Sequence, residues 1–337
     1  MATIRVSFED MKQVFRQALV KVGFTPERAD QLADVFAQNS LDGVASHGWN
    51  RFPVFMGHIA QGYINFTAEP EKVIALGAWE QWDGKLGPGP LNASAATRRA
   101  MELAREYGMG CVGLRNTNHW MRGGTYGQLA AQAGFVLMCW TNAVATMPPY
   151  GSRDIRLGNN PLVLAVPRRD GPVVLDIAMS QFAFGKLEVA RRRGEKLPVP
   201  GGFDADGQPT RDAAVILEEG RAMPIGYWKG SGLALLLDMT AALFSGGKAT
   251  YEIMQHKAER SVSQVFIAFD VTKPAGAAWV EAEVDNIIAD LHAVQPDAPG
   301  AEVLFPGERV LKTRQENLAN GIPVDETVWH DILNMAG

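Results

Sequence analysis

Cysteine is nearly missing: the 337-residue chain has two, Cys111 and Cys139. Two thiols build neither a disulfide framework nor a cysteine-rich zinc site. Each sits in an apolar run, residues 110–114 and 136–140, so both read as buried thiols in strands. Long apolar runs are absent too. The longest, residues 233–244, is too short to span a bilayer and contains Asp238. The opening Met1-Ala2-Thr3-Ile4-Arg5 leads into an amphipathic pattern rather than the apolar centre of a secretory leader. The expectation is a reducing, aqueous compartment, the cytoplasm, and no membrane partner. Neither sign of charge dominates: 32 Lys and Arg face 37 Asp and Glu, for a net charge of −5. The longest basic cluster, Arg191-Arg192-Arg193 with Lys196, reads as a solvated helix end, so no nucleic-acid partner is expected.

Several motifs are also lacking. A Rossmann fingerprint needs Gly-x-Gly-x-x-Gly directly after a strand. Gly230-Ser231-Gly232 begins that pattern, but Leu235 holds the place of the third glycine. There is no Walker loop and no His-Glu-x-x-His, so no metal site is expected; the other histidines are scattered. Asp204-Ala205-Asp206-Gly207 opens like a calcium loop, but its twelfth position is Val215, not Glu. Gly-x-Ser-x-Gly, the usual serine-hydrolase signal, does not occur.

What is present is a normal globular balance, 47% hydrophobic and 20% charged, enough for a sizeable core. Ser7 opens a helical pattern through Met11, Phe15 and Leu19, and Thr25-Pro26 is a strong helix start. Strand-like runs then recur at residues 73–76, 112–114, 135–140, 162–166, 173–177 and 265–269, with helical segments between several of them. The tail returns to helices from residue 279. The order predicts a mixed α/β class. The division expected is a helical domain from residues 1–70 plus 296–337, and an α/β domain over 71–295 that binds a cofactor.

Candidate chemistry clusters in a few places. His47, in Ser46-His47-Gly48, falls at a break between helices, where spacing alone leaves a capping role and a proton-donor role both open. Arg51 lies four residues on, and a guanidinium there suits a substrate carboxylate. Asn116 to Gly124 reads as a loop after a strand, with His119 and Arg122 able to polarise a carbonyl or bind an anion. Asp176 ends an apolar strand and needs a partner. Tyr227-Trp228-Lys229-Gly230-Ser231-Gly232 reads as a turn before an apolar helix, whose N-terminus can hold a pyrophosphate.

Together these residues resemble the malate/L-lactate dehydrogenase family that lacks a Rossmann fold. The resemblance is carried by Gly43-Val44-Ala45-Ser46-His47-Gly48, Asn50-Arg51-Phe52-Pro53 and Asn118-His119-Trp120-Met121-Arg122-Gly123-Gly124. It continues through Met147-Pro148-Pro149, Asn160-Pro161-Leu162, residues 198–204 and residues 226–232, in one order along nearly the whole chain. It implies a homodimer with a nucleotide-binding α/β domain of its own kind. It further implies reduction of a 2-oxo sugar acid by NADH or NADPH, with His47 as proton donor and Ser46, Arg51 and His119 at the substrate. Cofactor contacts fall on Pro172, Val173, Val174, Leu175, Asp176, Ile177 and Ala178, on Trp228 and Lys229, and on Gly307, Glu308 and Arg309. His119-Trp120-Met121, where the broader family has His-Phe-Gly, favours the sugar-acid branch over malate or lactate. Gly307-Glu308-Arg309 departs from the branch's Gly-His-Glu, which leaves NAD against NADP open. The alternatives kept are ureidoglycolate, malate, L-lactate or cyclic-imine chemistry, and a catalytically silent nucleotide-binding protein.

Overall fold

The computed structural model describes residues 3–256 and 259–337. The fold is mixed α/β, as expected, and centres on a seven-stranded sheet. In spatial order the strands are Glu71–Leu76, Trp79–Asp83, Met109–Asn118, Arg260–Phe269, Val136–Thr141, Leu162–Val166 and Val173–Ile177. Trp79–Asp83 and Met109–Asn118 run parallel, and every other neighbouring pair is antiparallel. This is not the doubly wound parallel sheet of a Rossmann domain, which accounts for the missing glycine fingerprint.

Period-two alternation supplies both faces of the sheet. Val112, Leu114 and Phe266 point to one side and pack with helices Gly89–Tyr107 and Gly124–Gln132. Cys111 and Val265 point to the other and pack with Leu237 and Ala241 of helix Trp228–Ser245. Both cysteines are buried in strands, and burial pushes the Cys111 thiol up to about 12.

A separate core joins the two ends of the chain. Strand Thr3–Val6 pairs antiparallel with Ile322–Asp325. Helices Phe8–Val22 and Pro26–Leu41 start at caps Ser7 and Thr25 and bury Phe15 and Phe36 against Phe52 and Trp329. Phe15 and Phe52 stack with centroids 4.3 Å apart. Burying each such ring stabilises the layer by about 1.5–3 kcal/mol.

One strand was not foreseen, and two local expectations are corrected. Trp79–Asp83 is a strand although its residues are largely polar; its Glu80 is buried because Arg99 binds it with Nη2–Oε1 at 2.9 Å. Asn116, Thr117 and Asn118 are not loop but the end of strand Met109–Asn118, where Arg260 and Val262 pair with Asn118 and Thr117. Helix Trp228–Ser245 already includes Trp228, Lys229 and Gly230, so the expected turn before it is shorter.

Candidate active site

His47 is placed by the end of helix Pro26–Leu41. Asn39 Nδ2 donates to the His47 carbonyl at 3.0 Å, and Ser40 Oγ accepts from the Trp49 amide at 2.9 Å. A short 3-10 turn, Ala45–His47, sits between them. Gly48 lets this loop close on the helix: a Cβ there would lie 2.4 Å from Ser40 Oγ. The Ser-His-Gly string is therefore a packing requirement as well as a chemical one.

His119 follows the strand end Asn118. Asn118 Nδ2 donates to the carbonyls of Leu86 and Gly87, at 2.7 and 3.0 Å. The start of helix Gly89–Tyr107 closes on the same point, with the Gly89 position so near that a Cβ would lie 2.1 Å from the His119 oxygen. Two elements far apart in sequence thus bring the imidazoles together. Their rings stack with centroids 5.6 Å apart and planes 13° from parallel. Both line a cavity of about 540 Å³, with Ser46 beside them.

The hydrogen bonds give the two rings different roles. The Met121 amide donates to His119 Nδ1 at 3.0 Å, so Nδ1 is unprotonated and Nε2 carries the hydrogen. Burial, then the charges of Arg51, His47 and His58, hold His119 well below the usual imidazole range. It is a neutral N–H donor, suited to polarising a carbonyl. His47 Nδ1 meets Ser46 Oγ at 3.0 Å, leaving Nε2 for exchange with a ligand. Burial first, then Arg51 and Arg122, lowers His47 to about 4. A bound anion would offset those two cations and raise it.

The remaining expected residues divide. Val174, Leu175, Asp176 and Ala178 line the cavity, as does Gly307; Pro172, Val173 and Ile177 do not. Asp176 Oδ2 accepts from the Gly124 amide at 2.7 Å, and desolvation raises its pKa against the pull of Arg122 and that amide. Its partner is therefore the loop that follows His119. Arg51 does not line the cavity, although its charge reaches His47, His119 and Glu259. Glu308 turns to its own helix start, accepting from His292 and the Phe305 amide. Arg309 is exposed. Trp228 and Lys229 lie outside the cavity on an exposed helix start.

Arg122 is not available as a free anion site. It is 7% exposed and ion-paired to fully buried Asp42, which also receives Arg314 Nε at 2.7 Å and Gln128 Nε2 at 3.1 Å. This cluster ties the His47 loop, the His119 loop and helix Glu308–Asn320 into one frame. Asp42 gave little sign of this in sequence, where a polar residue before Gly43 reads as a helix end. Glu259 and Thr146 also line the cavity and were not anticipated. Glu259 sits in the charged run His256 to Arg260, which reads as surface. Among the described residues no group of three metal-ligating side chains occurs.

The residues fit a nicotinamide cofactor. Gly307 adopts φ +96°, and a Cβ there would come within 3.2 Å of the Val174 amide nitrogen and oxygen. The missing side chain lets this turn pack directly on the strand, where the Val174 amide donates to the Pro306 carbonyl at 2.9 Å, so the two stretches form one continuous wall of the cavity against which a flat group can lie. The first turn of helix Glu308–Asn320 adds amides that suit a phosphate.

Comparison with known proteins agrees with this geometry. A family model described as malate/L-lactate dehydrogenase matches residues 6–333. The chain is 44% identical over 330 residues to 2,3-diketo-L-gulonate reductase of Klebsiella pneumoniae (strain 342), covering 98% of this chain and 99% of that one. Among solved structures it resembles malate dehydrogenase from Entamoeba histolytica, with TM-score 0.94, 26% identity, and coverage of 99% and 98%. It also resembles sulfolactate dehydrogenase from Methanocaldococcus jannaschii, with TM-score 0.88, 30% identity and the same coverage. The chain belongs to the malate/L-lactate dehydrogenase family and is an oxidoreductase that uses a nicotinamide cofactor.

Proposed function

We propose that the protein reduces the C2 carbonyl of a 2-oxo sugar acid, 2,3-diketo-L-gulonate to 3-dehydro-L-gulonate, with His47 as proton donor. The observation that carries this reading is the stacked pair His47 and His119 in the wall of one cavity with Val174 to Ala178 and Gly307. Bound NADH or NADPH supplies a hydride to C2. His119 Nε2–H donates to the carbonyl oxygen and stabilises the charge that develops there. His47 Nε2 gives its proton to the same oxygen, so the C=O π bond is replaced by C–H and O–H bonds. Ser46 Oγ fixes the His47 ring through Nδ1. The positive charge of Arg51, which reaches both histidines, favours the substrate carboxylate.

Val174, Leu175, Asp176 and Ala178, with Gly307, would hold the cofactor. Val173 and Ile177 belong to the same strand without lining the cavity, and Pro172 precedes it. The exposed Arg309 guanidinium, with Glu308 turned to His292, leaves the 2′-phosphate of NADPH tolerated beside NADH. Helix Trp228–Ser245 exposes Leu236, Met239 and Leu243, and we assign this face to a homodimer. Trp228 and Lys229 begin that face, so their contact with cofactor would be made across the dimer. Among the described residues no helix is long and apolar enough to cross a membrane, and two free thiols suit a cytoplasmic location.

The test is an oxidation screen of NADH and NADPH over 2,3-diketo-L-gulonate, oxaloacetate, pyruvate, 2-oxoglutarate and a cyclic imine acid. The diketo sugar acid should give the highest kcat/KM. Cofactor binding without oxidation by any of them would instead favour a silent binding protein.

A further inference from the structure

The mechanism leaves two cavity-lining polar groups unused, Glu259 and Thr146. Thr146 Oγ1 is buried and has no hydrogen-bond partner among the described residues. A buried hydroxyl without a partner costs about 1–3 kcal/mol, so such groups are normally satisfied by a ligand or water. Glu259 lies just before strand Arg260–Phe269, whose first residue pairs with Asn118, so it stands at the level of His119. Its carboxylate accepts a hydrogen bond from the backbone amide of Val144, two residues from Thr146. No side chain among the described residues hydrogen-bonds its carboxylate, and burial raises its pKa while the Arg51 charge and the Val144 amide oppose that rise. A carboxylate in a cavity that receives an anion is unfavourable unless it does something for the ligand.

We propose that Glu259 and Thr146 form the subsite for the hydroxylated tail of the substrate, selecting polyhydroxylated acids over dicarboxylates. The inference rests on the 2-oxo acid reading above and adds its specificity. Carboxylate oxygens accept from substrate hydroxyls, and Thr146 Oγ1 completes the set as donor or acceptor. The same negative charge repels a second carboxylate.

The experiment is calorimetric titration of the NADH complex with L-gulonate, L-malate and L-lactate, none of which is turned over in the presence of reduced cofactor. Glu259→Gln should weaken L-gulonate by about 10- to 100-fold, the fold-change of a charge-assisted hydrogen bond. It should leave L-lactate within about twofold and tighten L-malate by about tenfold. Thr146→Val, which keeps the shape and removes the hydroxyl, should weaken L-gulonate alone. Equal weakening of all three acids, or unchanged L-gulonate affinity in both variants, overturns the subsite. So does a wild-type protein that binds L-gulonate no better than L-lactate. If wild type shows the expected preference but oxidises NADH with no 2-oxo acid, the reaction assignment falls and the subsite stands.

Discussion

Two histidines with unlike surroundings carry the account at the scale of residues. His119 is fixed neutral by the Met121 amide, whereas His47 keeps a nitrogen free to exchange its proton. The low pKa of His47 has a direct consequence. Reduction by the free enzyme needs protonated His47, whose fraction falls about tenfold per pH unit above about 4. The expected profile of log kcat/KM for reduction therefore declines with rising pH across the neutral range. Oxidation of the product, which needs the neutral ring, is flat there. The kcat profile should break at higher pH, because bound carboxylate offsets Arg51 and Arg122. A kcat/KM for reduction that stays flat to pH 7 would place the donor elsewhere. His47 was visible in sequence as a residue at a helix break. What made it a neighbour of His119 was not, because 72 positions separate them, from 47 to 119.

Strands and helices explain how that pairing is held. The start of helix Gly89–Tyr107 presses on the His119 carbonyl through a position with no side chain. Gly89→Ala should push the strand end away and lower kcat/KM by about 100-fold, with a lower melting temperature. Gly57→Ala is the contrasting change. Its Cβ meets only Gln61 at 4.0 Å, so it should stabilise helix Phe52–Ala60 by about 0.5–1 kcal/mol and leave activity intact. Equal activity in both variants would show that the contact at Gly89 does not position His119. Caps Ser7 and Thr25 and the apolar strands were legible because their signals are local. Trp79–Asp83 and the polar end Asn116 to Asn118 were not. Their polar side chains are satisfied by distant partners, such as Arg99 on Glu80 and the Leu86 carbonyl on Asn118, which no local pattern encodes. Asp42 escaped for the same reason, and Glu259 and Thr146 escaped because only the tertiary fold brings them to the cavity.

For the whole molecule, the sheet and the layer made by both chain ends meet at the cavity. The buried Asp42 with Arg122 and Arg314 joins them, so the site is built from three stretches of sequence. The outer face of helix Trp228–Ser245 has no apolar cover among the described residues: Leu243 is 72% exposed and Leu236 58%. Leu236→Asp combined with Leu243→Asp should convert a dimer to a monomer in light scattering after size exclusion. A wild-type protein that is monomeric at micromolar concentration would contradict that assignment. The central claim, that His47 supplies the proton, is tested most directly by comparing His47→Asn with wild type in single-turnover reduction of 2,3-diketo-L-gulonate. The account predicts a rate lower by about 100- to 10,000-fold, with NADH affinity within about twofold by fluorescence. A variant that reduces the substrate at the wild-type rate would contradict it.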